Sequence, residues 1–403
     1  MLRSNNIIFF GKLFSFFALC AFLSVSAVNA KTKEIVLGAL APMSGPAAPW
    51  GVGMKNVLDM AVDDINNGGF WWGKKGITIN GEKYELKLNI YDHAMDAGKA
   101  VSGANRLVHR DGAKFVLTLI DGMVKAHQPV TERAKVITVA YGSPAKSYIN
   151  ENNKFTWMYG IDAMAAAIFY PWLEKNRDIK RIAILDPDSL MGRGTAEASR
   201  FGISKTKMEI VYEEFFPEDT QDYYPILVKT LKTNPDFIDL GNTDPGARAL
   251  ILKQARELGY KGPMYLITPD IANLKKVAGW KSAEGLYFVP HDSELNAAQA
   301  QIQKEYIERY GEENWFGSFA FLFWDFTFWL AQAMEDTNSM DTEVINSHLE
   351  KMKLKSIFGS PAYMAGNGFY GINRIPMVPY NIAEVQNGEI VPVIRNAFTK
   401  YLE

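Results

Sequence analysis

Cysteine is almost absent: the single one in 403 residues, Cys20, lies near the start of the chain. Once the leading segment is removed, as argued below, no thiol, disulfide or cysteine metal ligand remains. Histidine is scarce as well. His93, His109, His127, His291 and His348 never recur at the i, i+4 spacing that turns two imidazoles toward one ion, so neither a metal site nor a cofactor is expected. Charge of one sign is also missing, since 43 Lys and Arg stand against 45 Asp and Glu, a formal net of −2. Without a basic excess to neutralise phosphates, nucleic acid is excluded as a partner. No Gly-x-x-x-x-Gly-Lys-[Ser/Thr] loop and no Gly-x-Ser-x-Gly elbow occurs. Gly51-Val52-Gly53 and Gly192-Arg193-Gly194 both lack the third glycine of a dinucleotide fingerprint. Asp186-Pro187-Asp188 puts two carboxylates after a strand, and reads either as an acid and base pair or as a turn before a helix.

What is present begins with an export signal. Arg3 and Lys12 precede an apolar run, Leu13 to Val25, that ends in Val28-Asn29-Ala30 and passes directly into Lys31-Thr32-Lys33-Glu34. This pattern predicts a secretory signal peptide over residues 1–30, cut after Ala30, and a periplasmic location. The run is too short to anchor the chain in a bilayer. Leu19 before Cys20 is too large for a lipoprotein signal. The remaining 373 residues are 41 basic and 45 acidic, net −4, which suits an exported soluble protein.

From residue 34 onward short apolar strands alternate with amphipathic helices, the pattern of an α/β protein with doubly wound parallel sheets. Strands are predicted over 34–40, 85–91, 115–120 and 135–140, and helices from about 54, 96 and 124. A second set runs from a helix at 161–175 through strands at 181–186, 208–215, 236–241 and 263–268. Residues 315–334 hold eight Phe and Trp between 316 and 329, yet Asp325 sits in the middle, so a buried helix is expected rather than a membrane span. The stretch after Ser360 predicts hairpins that complete a sheet. Phe70-Trp71-Trp72 reads as core or as a partner surface.

The ordered set Ser44-Gly45-Pro46, Trp50-Gly51, Ala61-Val62-Asp63-Asp64-Ile65-Asn66 with Gly68-Gly69, Tyr91-Asp92, Gln128-Pro129, Arg181-Ile182-Ala183-Ile184, Gln254-Ala255-Arg256 and Ala283-Glu284-Gly285-Leu286 resembles the periplasmic solute-binding proteins of the leucine and branched-chain amino-acid type. The resemblance spans nearly all of the exported chain. It implies two doubly wound three-layer lobes joined by three crossovers, near 156–160, 286–290 and 360–366. Lobe 1 would be 31–157 plus 287–362, and lobe 2 would be 158–286 plus 363–403. It implies no enzyme and no catalytic residue. Capture of an amino acid or related small organic acid for an ABC permease in the inner membrane is expected instead. A receptor that presents its ligand to a membrane sensor, and an exported α/β hydrolase, are the competing readings.

Ligands of open α/β sheets lie beyond the carboxyl ends of the strands. The residues that the resemblance places there depart from the usual set. Gly122-Met123-Val124-Lys125 replaces a serine cluster, and Tyr141-Gly142-Ser143-Pro144 follows the next strand, with Ser143 left to offer a hydroxyl to a carboxylate. Ser44 lies in the first loop. Trp50 falls where an aromatic packs on the ligand, Met191 where a tyrosine often closes over it, and Asn242-Thr243 in a further contact loop. Asp270 falls where an acid holds an amino group, or else caps the next helix. Polar anchors are thus few, while Trp50, Met123, Tyr141 and Met191 offer flat or adaptable apolar surface, which suits an aromatic or bulky solute.

Overall fold

The computed structural model describes residues 33–403 apart from 46, 144–145, 244, 268–270, 291–294 and 316. The export signal with its cut after Ala30, Cys20 and Asp270 therefore lie outside the described residues. β1 (Lys33–Ala41) is buried along nearly its whole length because it lies inside a sheet covered on both faces. The long loop that follows feeds α1 (Ala48–Asn67). This helix turns Met54, Val57, Leu58, Ala61 and Ile65 to the core and ends at Gly68, which adopts the left-handed conformation of a helix stop. β2 (Ile77–Ile79), β3 (Glu82–Asp92), α2 (Ala97–Asn105), β4 (Phe115–Leu119), α3 (Asp121–Arg133) and β5 (Ile137–Gly142) follow.

Residues 156–160, expected as a crossover, form a strand, β6 (Thr156–Gly160), parallel to β5 with Tyr141 beside Tyr159. The first sheet thus has six strands in the order β2-β3-β1-β4-β5-β6, and the chain leaves it directly into α4 (Ile161–Asn176). β7 (Arg181–Pro187), α5 (Leu190–Ile203), β8 (Glu209–Phe216), α6 (Tyr224–Lys232), β9 (Phe237–Asp239), α7 (Pro245–Glu257), β10 (Met264–Leu266), α8 (Ile271–Val277) and β11 (Leu286–Phe288) build the second sheet. Its order is β15-β14-β11-β10-β9-β7-β8, with β14 (Tyr380–Gln386) and β15 (Glu389–Ala397) supplied by the end of the chain. The helix and strand alternation makes both sheets doubly wound, in agreement with the α/β pattern of the sequence.

Beyond Phe288 the chain returns to the first sheet's side with α9 (Ala297–Tyr310), α10 (Gly317–Thr337), which packs on α1, and α11 (Thr342–Leu349). A ribbon of β12 (Tyr363–Ala365) and β13 (Ile375–Met377) follows, and the Met158 N–H of β6 donates to the Arg374 carbonyl beside it at 3.3 Å. The hairpin expected near the end is β14 (Tyr380–Gln386) with β15 (Glu389–Ala397). Asn387 and Gly388 both carry positive φ, the two-residue turn whose twist matches that of the strands.

α10 is a buried helix. Phe321, Trp324, Phe326, Phe328 and Trp329 are each less than 4% exposed, and no described helix is long and apolar enough to cross a membrane. Asp325 survives among these rings because its carboxyl accepts hydrogen bonds from Ser356 Oγ at 2.5 Å and the Ile357 N–H at 2.8 Å. Burial pushes it up to about 8, so it is held as the neutral acid. The Phe70-Trp71-Trp72 stretch plugs this helix: Phe70 stacks on Trp324 at 5.8 Å and Trp72 meets Phe328 at 6.0 Å. The Asp64 carboxylate accepts the Trp71 and Trp72 N–H groups, and Lys355 Nζ stands 3.9 Å over the Trp71 ring.

Candidate solute site between the two sheets

Two loops, one from each sheet, are built to the same plan. In the first sheet β4 ends at Leu119, Ile120 takes a positive φ of 76°, and α3 starts on Asp121, whose carboxyl turns back beneath the end of the neighbouring strand β5. There it accepts the Ser143 N–H at 3.2 Å and the Tyr148 hydroxyl. Gly142 is required above it, because a Cβ at that position would lie 2.3 Å from the Asp121 Oδ1. In the second sheet β7 carries Asp186, fully buried, beneath the loop after β9. Asp186 accepts the Asn242 N–H at 3.3 Å, and a Cβ on Gly241 would come within 2.1 Å of its Oδ1. Each acid braces the residue after its glycine. Those two residues meet: the Asn242 amide donates to Ser143 Oγ at 2.8 Å, one hydrogen bond from sheet to sheet. Further links lie nearby. The Lys146 N–H reaches Glu197 of α5 at 3.4 Å, and α3 contacts α5.

The expected site residues fall around this junction to different degrees. Ser143 is fully buried and Thr243 nearly so, while Asn242 and Tyr141 are half-buried. Met123 and Met191 are half-buried in the first turns of the two touching helices. Val124 is fully buried within the hydrophobic core. Ser44 is exposed, and its hydroxyl donates to Asp92 Oδ2 at 2.5 Å. Burial pushes the Asp92 carboxyl up, but the Ser44 hydroxyl and the Met43 and Ala94 N–H groups outweigh it and hold the acid below its ordinary range. Ser44 thus fixes its own loop against β3. Trp50, in the first turn of α1, is 42% exposed. Lys125 is exposed and spans to the Ser147 carbonyl at 2.7 Å. Asp188 pairs with Arg193 at 2.7 Å on the surface, and Ser189 caps α5, so Asp186-Pro187-Asp188 is a turn with one buried brace.

Two residues at the junction, Asp121 and Arg248, escaped the sequence reading, and Asp186 was read there only as part of a carboxylate pair or a turn. Asp121 and Asp186 look like ordinary loop acids, and only the glycine one strand away, Gly142 or Gly241, hints at something beneath. Arg248 of α7 is 4% exposed and donates from Nη2 to the Asn242 side-chain oxygen Oδ1. Nothing in its local pattern separates it from a solvated helix arginine. Close behind the first sheet's loops, His93 and His127 are fully buried. Desolvation lowers both from the ordinary histidine value, His127 to about 4, with His93 adding to its depression. Both are therefore neutral at pH 7. Among the described residues no group of three His, Cys, Asp or Glu could hold a metal ion.

A family model described as periplasmic binding protein matches residues 34–389. The Leu/Ile/Val-binding protein of Citrobacter freundii is 29% identical over 277 residues, which cover 66% of this chain and 70% of that protein. Two solved structures share the fold. A leucine binding protein from Thermotoga maritima superposes with a TM-score of 0.69 at 21% identity, covering 90% of this chain and 98% of its own. A solute binding protein from R. palustris, in complex with 4-hydroxybenzoate, gives 0.69 at 16% identity, covering 91% and 97%. With two doubly wound sheets whose loops meet at Ser143 and Asn242, the chain belongs to the periplasmic binding protein family and has its type I fold.

Proposed function

We propose that this protein captures a small organic acid of aromatic or bulky body, or an amino acid with a large side chain, between its two sheets. The protein is the substrate-binding component of an ABC importer. It delivers the solute to the permease in the inner membrane, after export and removal of residues 1–30. The observation that carries this reading is the hydrogen bond from Asn242 to Ser143, which joins loops at the carboxyl ends of strands in both sheets. A solute bound there touches both sides and stabilises the closed form by its greater affinity for it. The two sheets with their helices are the two lobes. Tyr141, Met123 and Met191 line the site with apolar surface, Trp50 covers its rim, and Ser143, Asn242, Thr243 and Asp270 supply polar contacts. The solutes named for the relatives, from branched-chain amino acids to 4-hydroxybenzoate, share a carboxylate on an apolar body. Neither the sensor-linked receptor nor the hydrolase gains a supporting observation, since Asp186 is a buried brace rather than an exposed acid.

The test is a thermal-shift screen of the exported protein against amino acids and against aromatic and aliphatic carboxylates, because a ligand that binds only the folded state raises the melting temperature. Aromatic or bulky acids are expected to stabilise it. Stabilisation by leucine, isoleucine and valine alone would show that the solute is a small aliphatic amino acid.

A further inference from the structure

We propose that Met95 forms the end wall of the solute site, touching the end of the solute's body remote from its acid group, and so selects solutes by length. The inference rests on the solute site of the preceding section and adds a residue that sets its size. Beyond Asp92, the last residue of β3, His93 to Asp96 make a tight turn, closed by the Asp96 N–H donating to the His93 carbonyl at 2.7 Å. Its two central residues, Ala94 and Met95, have φ of 45° and 59°. A turn with both centres left-handed suits Asn-Gly, whereas alanine and methionine crowd a Cβ against the backbone there. The turn's own needs therefore do not account for a methionine.

Hydrogen bonds hold the strained backbone in place. The Ala94 N–H donates to Asp92 Oδ1 at 2.7 Å, and the Met95 N–H to Nδ1 of the fully buried His93 at 3.1 Å. Asp96 then caps α2 by accepting the Lys99 N–H at 2.7 Å. The Met95 side chain stays 45% exposed, and strain secured in this way gathers at ligand clamps.

The turn stands at the solute end of the first sheet. β3 neighbours β1, the His93 N–H donates to the Ala41 carbonyl where β1 ends, and Asp92 also accepts the Met43 N–H at 2.8 Å and the Ser44 hydroxyl. One carboxylate thus ties the turn of Met95 to the loop that leads into Trp50, and both large apolar side chains are exposed. From β3 to β5, whose end carries Ser143, there are three strand spacings, about 14 Å. A solute with its acid at Ser143 and Asn242 presents to Met95 the far end of its body, and an aromatic body extends farther toward it than a short aliphatic one. Methionine suits an end wall because its unbranched, flexible chain and polarizable sulfur adapt to a ring edge.

The experiment measures by calorimetry the affinities of two pairs that differ by one methyl group at the far end: benzoate with 4-methylbenzoate, and L-phenylalanine with 4-methyl-L-phenylalanine. It uses the full-length protein as its host exports it, with Met95→Ala and, as a control, Met340→Ala. Met340 is 38% exposed but follows Asn338, which bonds Asn80 in the turn at the opposite end of β3. The readout is the ratio of the two affinities within a pair. Burial of one methyl group changes affinity by about fourfold, so in at least one pair the ratio is expected to shift by about threefold or more in Met95→Ala. In Met340→Ala it should keep its wild-type value. An unchanged ratio in Met95→Ala overturns the end wall and leaves the solute site standing, even where both affinities fall together, since a disturbed loop weakens both alike. An equal shift in Met340→Ala overturns it as well. If the wild type binds none of the four compounds, the proposed solute class fails and the end wall falls with it. The strain has its own readout: Met95→Gly should melt at a higher temperature than the wild type, because glycine adopts the left-handed backbone without the Cβ. A lower melting temperature would mean that the methionine serves the fold, and would overturn its assignment to the solute.

Discussion

A carboxylate tucked beneath a glycine occurs twice in this protein, and each time it fixes the residue that faces the opposite sheet. Asp121 under Gly142 and Asp186 under Gly241 hold the Ser143 and Asn242 N–H groups, so both side chains start from a braced backbone. The space above each acid is full. Gly142→Ala is expected to destabilise the protein by about 1–3 kcal/mol, the usual cost of forcing atoms into a packed site, with solute affinity falling alongside. Chemical denaturation of wild type and variant checks it, and equal midpoints would mean that the loop shifts freely. Trp50→Ala should act in the opposite sense: with its ring 42% exposed, stability changes little while affinity for an aromatic solute drops severalfold, as titration of the two proteins would read. Ser143 was singled out only through the family resemblance, as a hydroxyl for a carboxylate, and the structure puts it against the Asn242 amide. The bracing was not legible, since Asp121 acts on Ser143 across 22 residues of chain and Asp186 on Asn242 across 56, separations to which no local pattern is sensitive.

At the level of elements, strong periodicity was readable and short pieces were not. α1 announced itself through Met54, Val57, Leu58, Ala61 and Ile65. β9, β10 and β11 have only three residues each, and Thr156–Gly160, expected as a crossover, pairs with β5 as a strand before the chain departs into α4. α10 was correctly read as buried from Asp325, a polar side chain that a lipid-facing helix would not carry. That acid also makes a prediction. Its ordinary value is near 3.8, and burial raises it to about 8 in the fold, so the folded protein keeps a proton that the unfolded chain releases. The stability it confers is complete below about pH 4 and is lost as pH rises through 8. Asp325→Asn keeps the shape without the ionisation and should flatten the decline of the melting temperature between pH 6 and 9. Calorimetric scans across that range would show an unchanged slope if the acid were already ionised in the fold.

For the molecule as a whole, His127 works against Asp325. Held neutral with a value of about 4 against an ordinary 6.5, it contributes stability above pH 6.5 that is lost as pH falls through 4. Over that interval each group changes the folding free energy by about 1.4 kcal/mol per pH unit, with opposite sign. Together they leave their joint contribution nearly level from pH 4 to 6.5 and falling above it. In Asp325→Asn the histidine slope should emerge unopposed, and a melting temperature still level through that window would count against the pairing. The joining hydrogen bond has its own whole-molecule signature. Ser143→Ala removes the acceptor for Asn242, and the unliganded protein should expand by an increase in radius of gyration that small-angle scattering detects and saturating ligand reverses. An unchanged radius would mean that other contacts, such as Lys146 with Glu197, keep the two sides together.

Because Asp121 and Asp186 brace the backbone of their loops from below, much of the loops' form is set from beneath. On the proposed reading, Met123 and Met191 can drift through neighbouring sizes and shapes while the loops keep their form. Such a division lets descendants of one scaffold acquire new cargo by a few neutral steps, and it keeps the closing stroke that a permease must read the same for every cargo.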